Sequence, residues 1–267
     1  MPDIYADITQ VEPQMLDAIA DALEVRSADP QQVEMRNKYF AWLDLQPRAK
    51  VLEAGCGAGP VARHLASFTK SSTVVGLDPS PHFIEKAKAL SKNFGSLEFQ
   101  VGDARSMPFE DASFAAVFFH TCLCHVPAAE QAVAEAFRVL KPGGKVAVFD
   151  GDYATTTFST GPDDPLQQCA DAMMGSFVHD IWLTRRLPAL LRQHGFEVRR
   201  MDSHGYVQSD EPAYSFTIID RGADVLVANG QIDAEAADAL KSEARGRADA
   251  GKFYGFINFI SVIAARP

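Results

Sequence analysis

Between Lys50 and Phe149 the chain alternates short apolar runs with segments in which apolar residues recur every three or four positions. The short runs predict strands near 50–54, 73–77, 97–101, 114–119 and 144–149, and the periodic segments predict helices near 60–70, 80–93 and 128–140. Such alternation is the pattern of βαβ units and predicts a mostly parallel sheet. Upstream, helices are predicted at 11–25 and 30–45, separated by the stop-and-start signal Ser27-Ala28-Asp29-Pro30. Downstream, a polar stretch to about Pro165 leads into helices at 166–179 and 183–194 and a strand from Glu197 to Tyr206. Two more helices within 211–250 and a last strand from Phe253 to Ala264 complete the pattern. No internal repeat is visible.

With 267 residues, 47% of them hydrophobic, the chain can bury the core of one large α/β domain. The 35 acidic and 25 basic residues give a net charge of −10 with no segregated basic cluster, which argues against nucleic acid as a partner. No basic start joins a long apolar run, and no run approaches the roughly 20 apolar residues of a membrane span. A cytoplasmic protein, monomeric or homodimeric, is expected. Cys56, Cys122, Cys124 and Cys169 lack the spacing of a disulfide framework or of paired CxxC knuckles, so they read as reduced, buried thiols and no metal site is expected.

Candidate chemistry gathers at the carboxyl ends of the predicted strands, where ligands bind in open α/β sheets. Val51-Leu52-Glu53-Ala54-Gly55-Cys56-Gly57-Ala58-Gly59-Pro60 runs from strand through a glycine-rich turn into a helix whose first position suits Pro60. A dinucleotide fingerprint reads GxGxxG and aims its helix at a pyrophosphate, whereas here the third glycine comes one residue early. Glu53 would also sit badly against a pyrophosphate but well beside a cationic group. Asp78 ends the second strand, where a carboxylate can accept ribose hydroxyls. Ser80 and Pro81 after it make a well-formed helix start. Asp103 follows the third strand and can accept from an exocyclic amine, with the Ala104 N–H beside it.

VLEAGCGAGP, VVGLDPS, VGDARSMPFEDASFAAVFFH and RVLKPGGKVAVFD, in this order and spacing, resemble the class I S-adenosylmethionine-dependent methyltransferases and look most like the ubiquinone/menaquinone-biosynthesis type. The resemblance is good over residues 48–150 and weak elsewhere. It implies a Rossmann-like sheet of seven strands in the order 3-2-1-4-5-7-6, the last antiparallel, with S-adenosylmethionine as cofactor and S-adenosylhomocysteine as product. It further implies Glu53 and Gly55, with Cys56, Gly57 and Gly59 of the same loop, beside the methionine moiety. Asp78 and Pro79 then fall at the ribose, Asp103 and Ala104 at the adenine. Residues 1–46 are expected to form a helical lid, 48–150 the cofactor-binding half, and 151–267 the acceptor half with inserts at 151–182 and 207–252. The Leu140-Lys141-Pro142-Gly143-Gly144 segment reads as a structural turn.

Methyl transfer from a sulfonium is an in-line displacement on an activated electrophile, so the protein chiefly aligns the acceptor and strips water from it. His120, just past the fourth strand, is the candidate to orient cofactor or acceptor or to act as base, with His125 a second candidate; both can equally be loop histidines bonded to backbone. Tyr5, Tyr39, Tyr153, His179, Arg185 and Tyr206 are candidates for an acceptor pocket that takes a small organic molecule. A nucleic-acid or amide methyltransferase would be expected to carry an Asn/Asp-Pro-Pro-Tyr/Phe motif where this chain has His120-Thr121-Cys122-Leu123. A nicotinamide enzyme is disfavoured by Glu53, Asp103 and the early glycine. The fold also hosts pericyclic catalysis and purely binding roles, which the sequence leaves open.

Overall fold

The computed structural model describes residues 3, 5, 8–69, 73–210 and 212–267. The expected helix end at Lys70 and the expected helix start at Glu211 lie outside them. The elements are α1 (Pro13–Ala28), α2 (Pro30–Ala41), β1 (Lys50–Ala54), α3 (Pro60–Thr69), β2 (Thr73–Asp78), α4 (Pro81–Leu90), β3 (Leu97–Val101), β4 (Phe114–His120) and α5 (Ala129–Val139). They continue as β5 (Leu140–Thr157), α6 (Gln167–Phe177), α7 (Leu183–Gln193), β6 (Glu197–Gln208), α8 (Ala213–Ala228), α9 (Ala234–Asp249) and β7 (Gly255–Ala265).

Seven strands form one sheet in the order β3-β2-β1-β4-β5-β7-β6. β1 pairs in parallel with β2 and β4, while β7 runs antiparallel to both β5 and β6. The central strands are apolar along nearly their whole length and buried on both faces, as parallel strands covered by helices must be. This register brings Ala54, Asp78, Val101 and His120 to one edge, because β1, β2, β3 and β4 all point the same way.

Two differences from the sequence expectation concern β5. It extends from Leu140 to Thr157 rather than over 144–149, because the long antiparallel partner β7 supplies ladder bonds to the polar residues after Phe149, as in the pairs Asp150↔Ile260 and Asp152↔Asn258. The Leu140–Gly144 segment, expected as a turn, is the irregular start of that strand. There Gly143 takes φ +77° and its N–H donates to the Arg266 carbonyl at 2.9 Å.

One carboxylate links the N-terminal helices to the edge of the sheet. Asp29 caps α2 by accepting from the Gln31 and Gln32 N–H groups, and it also accepts from the Tyr206 hydroxyl of β6 at 2.9 Å. The far end of the sheet thereby holds the helices that lie over the site.

Candidate active site

The glycine-rich turn after β1 is pinned to the end of β2, since the Gly55 and Cys56 N–H groups both donate to the Leu77 carbonyl, at 2.7 and 3.0 Å. Gly55 adopts φ +75°, and a Cβ there would lie 2.2 Å from Cys122 Sγ. Only glycine satisfies both the backbone and the space. Asp78 ties two loops together: its carboxylate accepts from the Gly57 N–H at 2.8 Å and the Ser80 N–H at 2.9 Å. Each of its oxygens still has a lone pair for a ligand hydroxyl.

Glu53 is 2% exposed, and its Oε2 has no hydrogen-bond partner among the described residues. A buried carboxyl oxygen without a donor is costly, so a ligand that brings a donor to it, such as an ammonium group, would be favoured. Asp103 is half-buried and held in place by the Arg105 guanidinium, with Nη2 donating at 2.7 Å. His120 is buried, and its Nδ1 lies 2.9 Å from the Tyr39 hydroxyl. Burial drives its pKa well below the ordinary imidazole value, with Arg36 and Arg26 adding to the effect. The ring is therefore neutral at pH 7. Glu53, Asp78, Asp103, Ala104 and His120 line a single cavity of about 310 Å³, with Tyr5, Ile8, Leu23 and Phe83 as its apolar cover.

Burial pushes the Glu53 carboxyl up to about 8, opposed by Arg36 and reinforced by Asp78. Burial likewise pushes Asp78 up to about 6 against the two N–H groups that it accepts. Both lie above the unfolded carboxylate range of about 4, so without a ligand the folded state holds protons that the unfolded chain has released. The contribution of these groups to stability is full below about pH 4 and is lost as pH rises through 6 and then 8. A ligand ammonium beside Glu53 favours the carboxylate and expels the proton. Titration with S-adenosylmethionine at pH 7 in two buffers of different ionisation heat is expected to show release of about one proton per ligand bound. Glu53→Gln abolishes that release, and identical heats in both buffers would count against a protonated Glu53.

Glu53, Gly55, Cys56, Gly57, Asp78, Pro79, Asp103, Ala104, His120 and His125 all line the cavity. Gly59 does not, and its φ of +80° and the close Phe99 ring explain its glycine by packing. His125 is bound to Asp3, Nδ1 to Oδ2 at 2.9 Å, with the Tyr5 ring 4.3 Å from its own. Among the acceptor-pocket candidates, Tyr5 lines this cavity and Tyr153 a smaller one beside it. The other four line neither. Tyr39 lies behind His120, stacked on Phe149, and Tyr206 spends its hydroxyl on Asp29. Arg185 is paired with Asp152 over the Trp182 ring, and the His179 N–H donates to Asp3. Sequence reasoning missed Arg26, which lines both cavities and donates to the Thr121 hydroxyl at 2.6 Å. An arginine in the last turn of a helix carries no sequence signal of such a role.

All four cysteines are buried and free, and among the described residues no group of three or more His, Cys, Asp or Glu is placed to hold a metal. No helix among them is long and apolar enough to cross a membrane.

Residues 52–148 match the model of the methyltransferase domain family. The chain is 30% identical over 250 residues to sterol 24-C-methyltransferase of Eremothecium gossypii, covering 81% of this chain and 66% of that protein. It is 35% identical over 170 residues to cycloartenol-C-24-methyltransferase of Arabidopsis thaliana, covering 61% and 49%. The chain thus spans between about half and two thirds of the length of these relatives. Among solved structures, the [4+2]-cyclase SpnF superposes with a TM-score of 0.61 at 19% identity, covering 100% of this chain and 97% of the other, which shows a shared fold. The seven strands stand in the order that the resemblance implies, and residues 52–148 carry a domain of the methyltransferase family.

Proposed function

We propose that this chain transfers the methyl group of S-adenosylmethionine to a small organic molecule. The observation that carries this is the grouping of Glu53, Asp78 and Asp103, from the ends of three successive strands, in one cavity with the unpartnered Glu53 oxygen inside it. That donor and acceptor set fits an adenosyl amino acid, with Glu53 on the amino group, Asp78 on the ribose and Asp103 with the Ala104 N–H on the adenine. When bound, the cofactor supplies a methyl group on an activated sulfonium. The residues of this chain do the rest by position and desolvation. His120, neutral and held by Tyr39, orients the reacting groups at the end of β4. Tyr5, Ile8, Leu23 and Phe83 exclude water. The names of the curated relatives, which act on sterols, support a small apolar acceptor. The finer likeness to the quinone-biosynthesis type rests on the motifs alone. A cytoplasmic, monomeric or dimeric protein goes with this reading, and size-exclusion chromatography checks the oligomeric state.

Calorimetric titration with S-adenosylmethionine and S-adenosylhomocysteine, with NADH as control, tests the reading. Asp78→Ala is expected to weaken both adenosyl ligands at least tenfold, about 1.4 kcal/mol, since it removes both the ribose acceptor and the tie between two loops. Preference for NADH, or equal binding by the variant, would overturn the assignment. Binding with no S-adenosylhomocysteine formed across an acceptor panel would favour a non-methyl role for the same fold.

A further inference from the structure

Beside the main cavity lies a smaller one of about 40 Å³ under α6 and α8. Its walls are apolar and aromatic, from Tyr153, Met173, Phe177, Tyr214 and Ile218. Besides Tyr5, Tyr153 and Tyr214, its titratable lining is Arg26, Arg221 and His125; no aspartate or glutamate is among the described residues that line it, and Asp3, outside that lining, is bonded to His125. In a chain of net charge −10 that is an unusual local balance.

Several other arginines of the carboxyl-terminal half are paired: Arg185 with Asp152, Arg186 with Asp180, Arg245 with Asp220 and Arg247 with Asp164. Arg26 instead donates to a neutral hydroxyl, that of Thr121, and lies 5.7 Å from the centre of the Tyr214 ring. Arg221 makes no hydrogen bond or ion pair among the described residues. Tyr5, Arg26 and Arg221 line this one cavity, and both guanidiniums oppose the rise that burial imposes on the Tyr5 hydroxyl. A cation facing an apolar cavity without a counter-ion gains most from an anionic ligand, and a guanidinium matches a carboxylate in two parallel bonds.

Arg26 lines both cavities, whereas Arg221 lines only the smaller one. On the methyl-transfer reading Arg26 is left to the amino-acid end of the cofactor and Arg221 to the acceptor. Resting on the methyl-transfer reading above, we propose that the acceptor is a small apolar or aromatic acid, its carboxylate held by Arg221 and its reacting end directed past Tyr5 and His125 toward His120. Met173 and Met174, unbranched and adaptable, let the cavity widen around it.

The test uses protein loaded with S-adenosylhomocysteine and three acids, phenylacetate, cinnamate and decanoate, each against its own primary amide. At least one acid is expected to bind ten times more tightly than its amide. Arg221→Gln is expected to erase that ratio while S-adenosylhomocysteine affinity stays within twofold, and Arg221→Lys to keep part of it. If loaded wild-type protein prefers no acid over its amide, or if Arg221→Gln keeps the preference, the carboxylate assignment falls and the methyl-transfer reading stands. If S-adenosylhomocysteine fails to bind the wild-type protein, both fall.

Discussion

Gly222→Ala is expected to destabilise the protein by about 2 kcal/mol and to loosen the acceptor side while sparing the cofactor side. A Cβ at this position in α8 would lie 2.0 Å from the Cys169 carbonyl oxygen and 2.6 Å from its carbon, both backbone atoms of α6. No rotamer change relieves such a contact, so the two helices must separate. Overpacking of this kind costs about 3 kcal/mol at the upper end of its usual range, against a helix-propensity gain of about 1 kcal/mol for alanine over glycine. The clash wins by about 2 kcal/mol, which lowers Tm by roughly 3–4 °C for a chain of this size. Tyr214, Ile218 and Arg221 ride on α8, and Met173 and Phe177 on α6, so their separation deforms the smaller cavity. Thermal unfolding with and without S-adenosylhomocysteine checks this. A variant as stable as wild type, or more stable by the bare propensity gain, would show that the helices do not meet this closely.

Gly55→Ala strikes the opposite side. Holding a non-glycine residue at φ +75° costs about 1–2 kcal/mol, and its Cβ would stand 2.2 Å from Cys122 Sγ and 3.0 Å from Cys122 Cβ. With an overpacking cost of about 1–3 kcal/mol added, the variant should lose roughly 2–5 kcal/mol of stability. It should also lose measurable S-adenosylhomocysteine binding, because the displaced turn carries the Gly57 N–H away from Asp78. Adding Cys122→Ala removes the nearer of the two contacts but not the backbone strain. The double variant should therefore regain about 1–3 kcal/mol of stability and keep a deficit of about 1–2 kcal/mol. Equal stability of the single and double variants would place the whole effect in the backbone conformation.

These two glycines also separate what was legible in the sequence from what was not. Gly55 sits in a motif in which strand, turn and helix are consecutive, so its need for a left-handed conformation follows from local chain direction. Gly222 lies in an unremarkable helical segment. Its requirement comes from Cys169, far away in the chain, and no local pattern encodes that approach.

The same division runs through the site. Glu53, Asp78, Asp103 and His120 line one cavity because parallel strands end at one edge, and a residue at the end of a strand is placed by its own sequence position. Residue type alone does not say which tyrosines and arginines away from that edge face a cavity. Tyr206 and Tyr39 face into packing, where Asp29 and His120 take their hydroxyls, and Arg185 is neutralised by Asp152. Arg26 and Arg221 reach the cavities instead. Which long side chain turns inward depends on how α1, α6 and α8 cross and on which carboxylates happen to be near.

Periodicity and strand-end chemistry thus determined the parallel core and the residues at its carboxyl edge, because those are short-range consequences of chain geometry. The length of β5, the contact of α6 with α8 and the cations facing the acceptor cavity were decided by pairing and packing between segments remote in sequence. Those interactions depend on distances that exist only once the chain has folded.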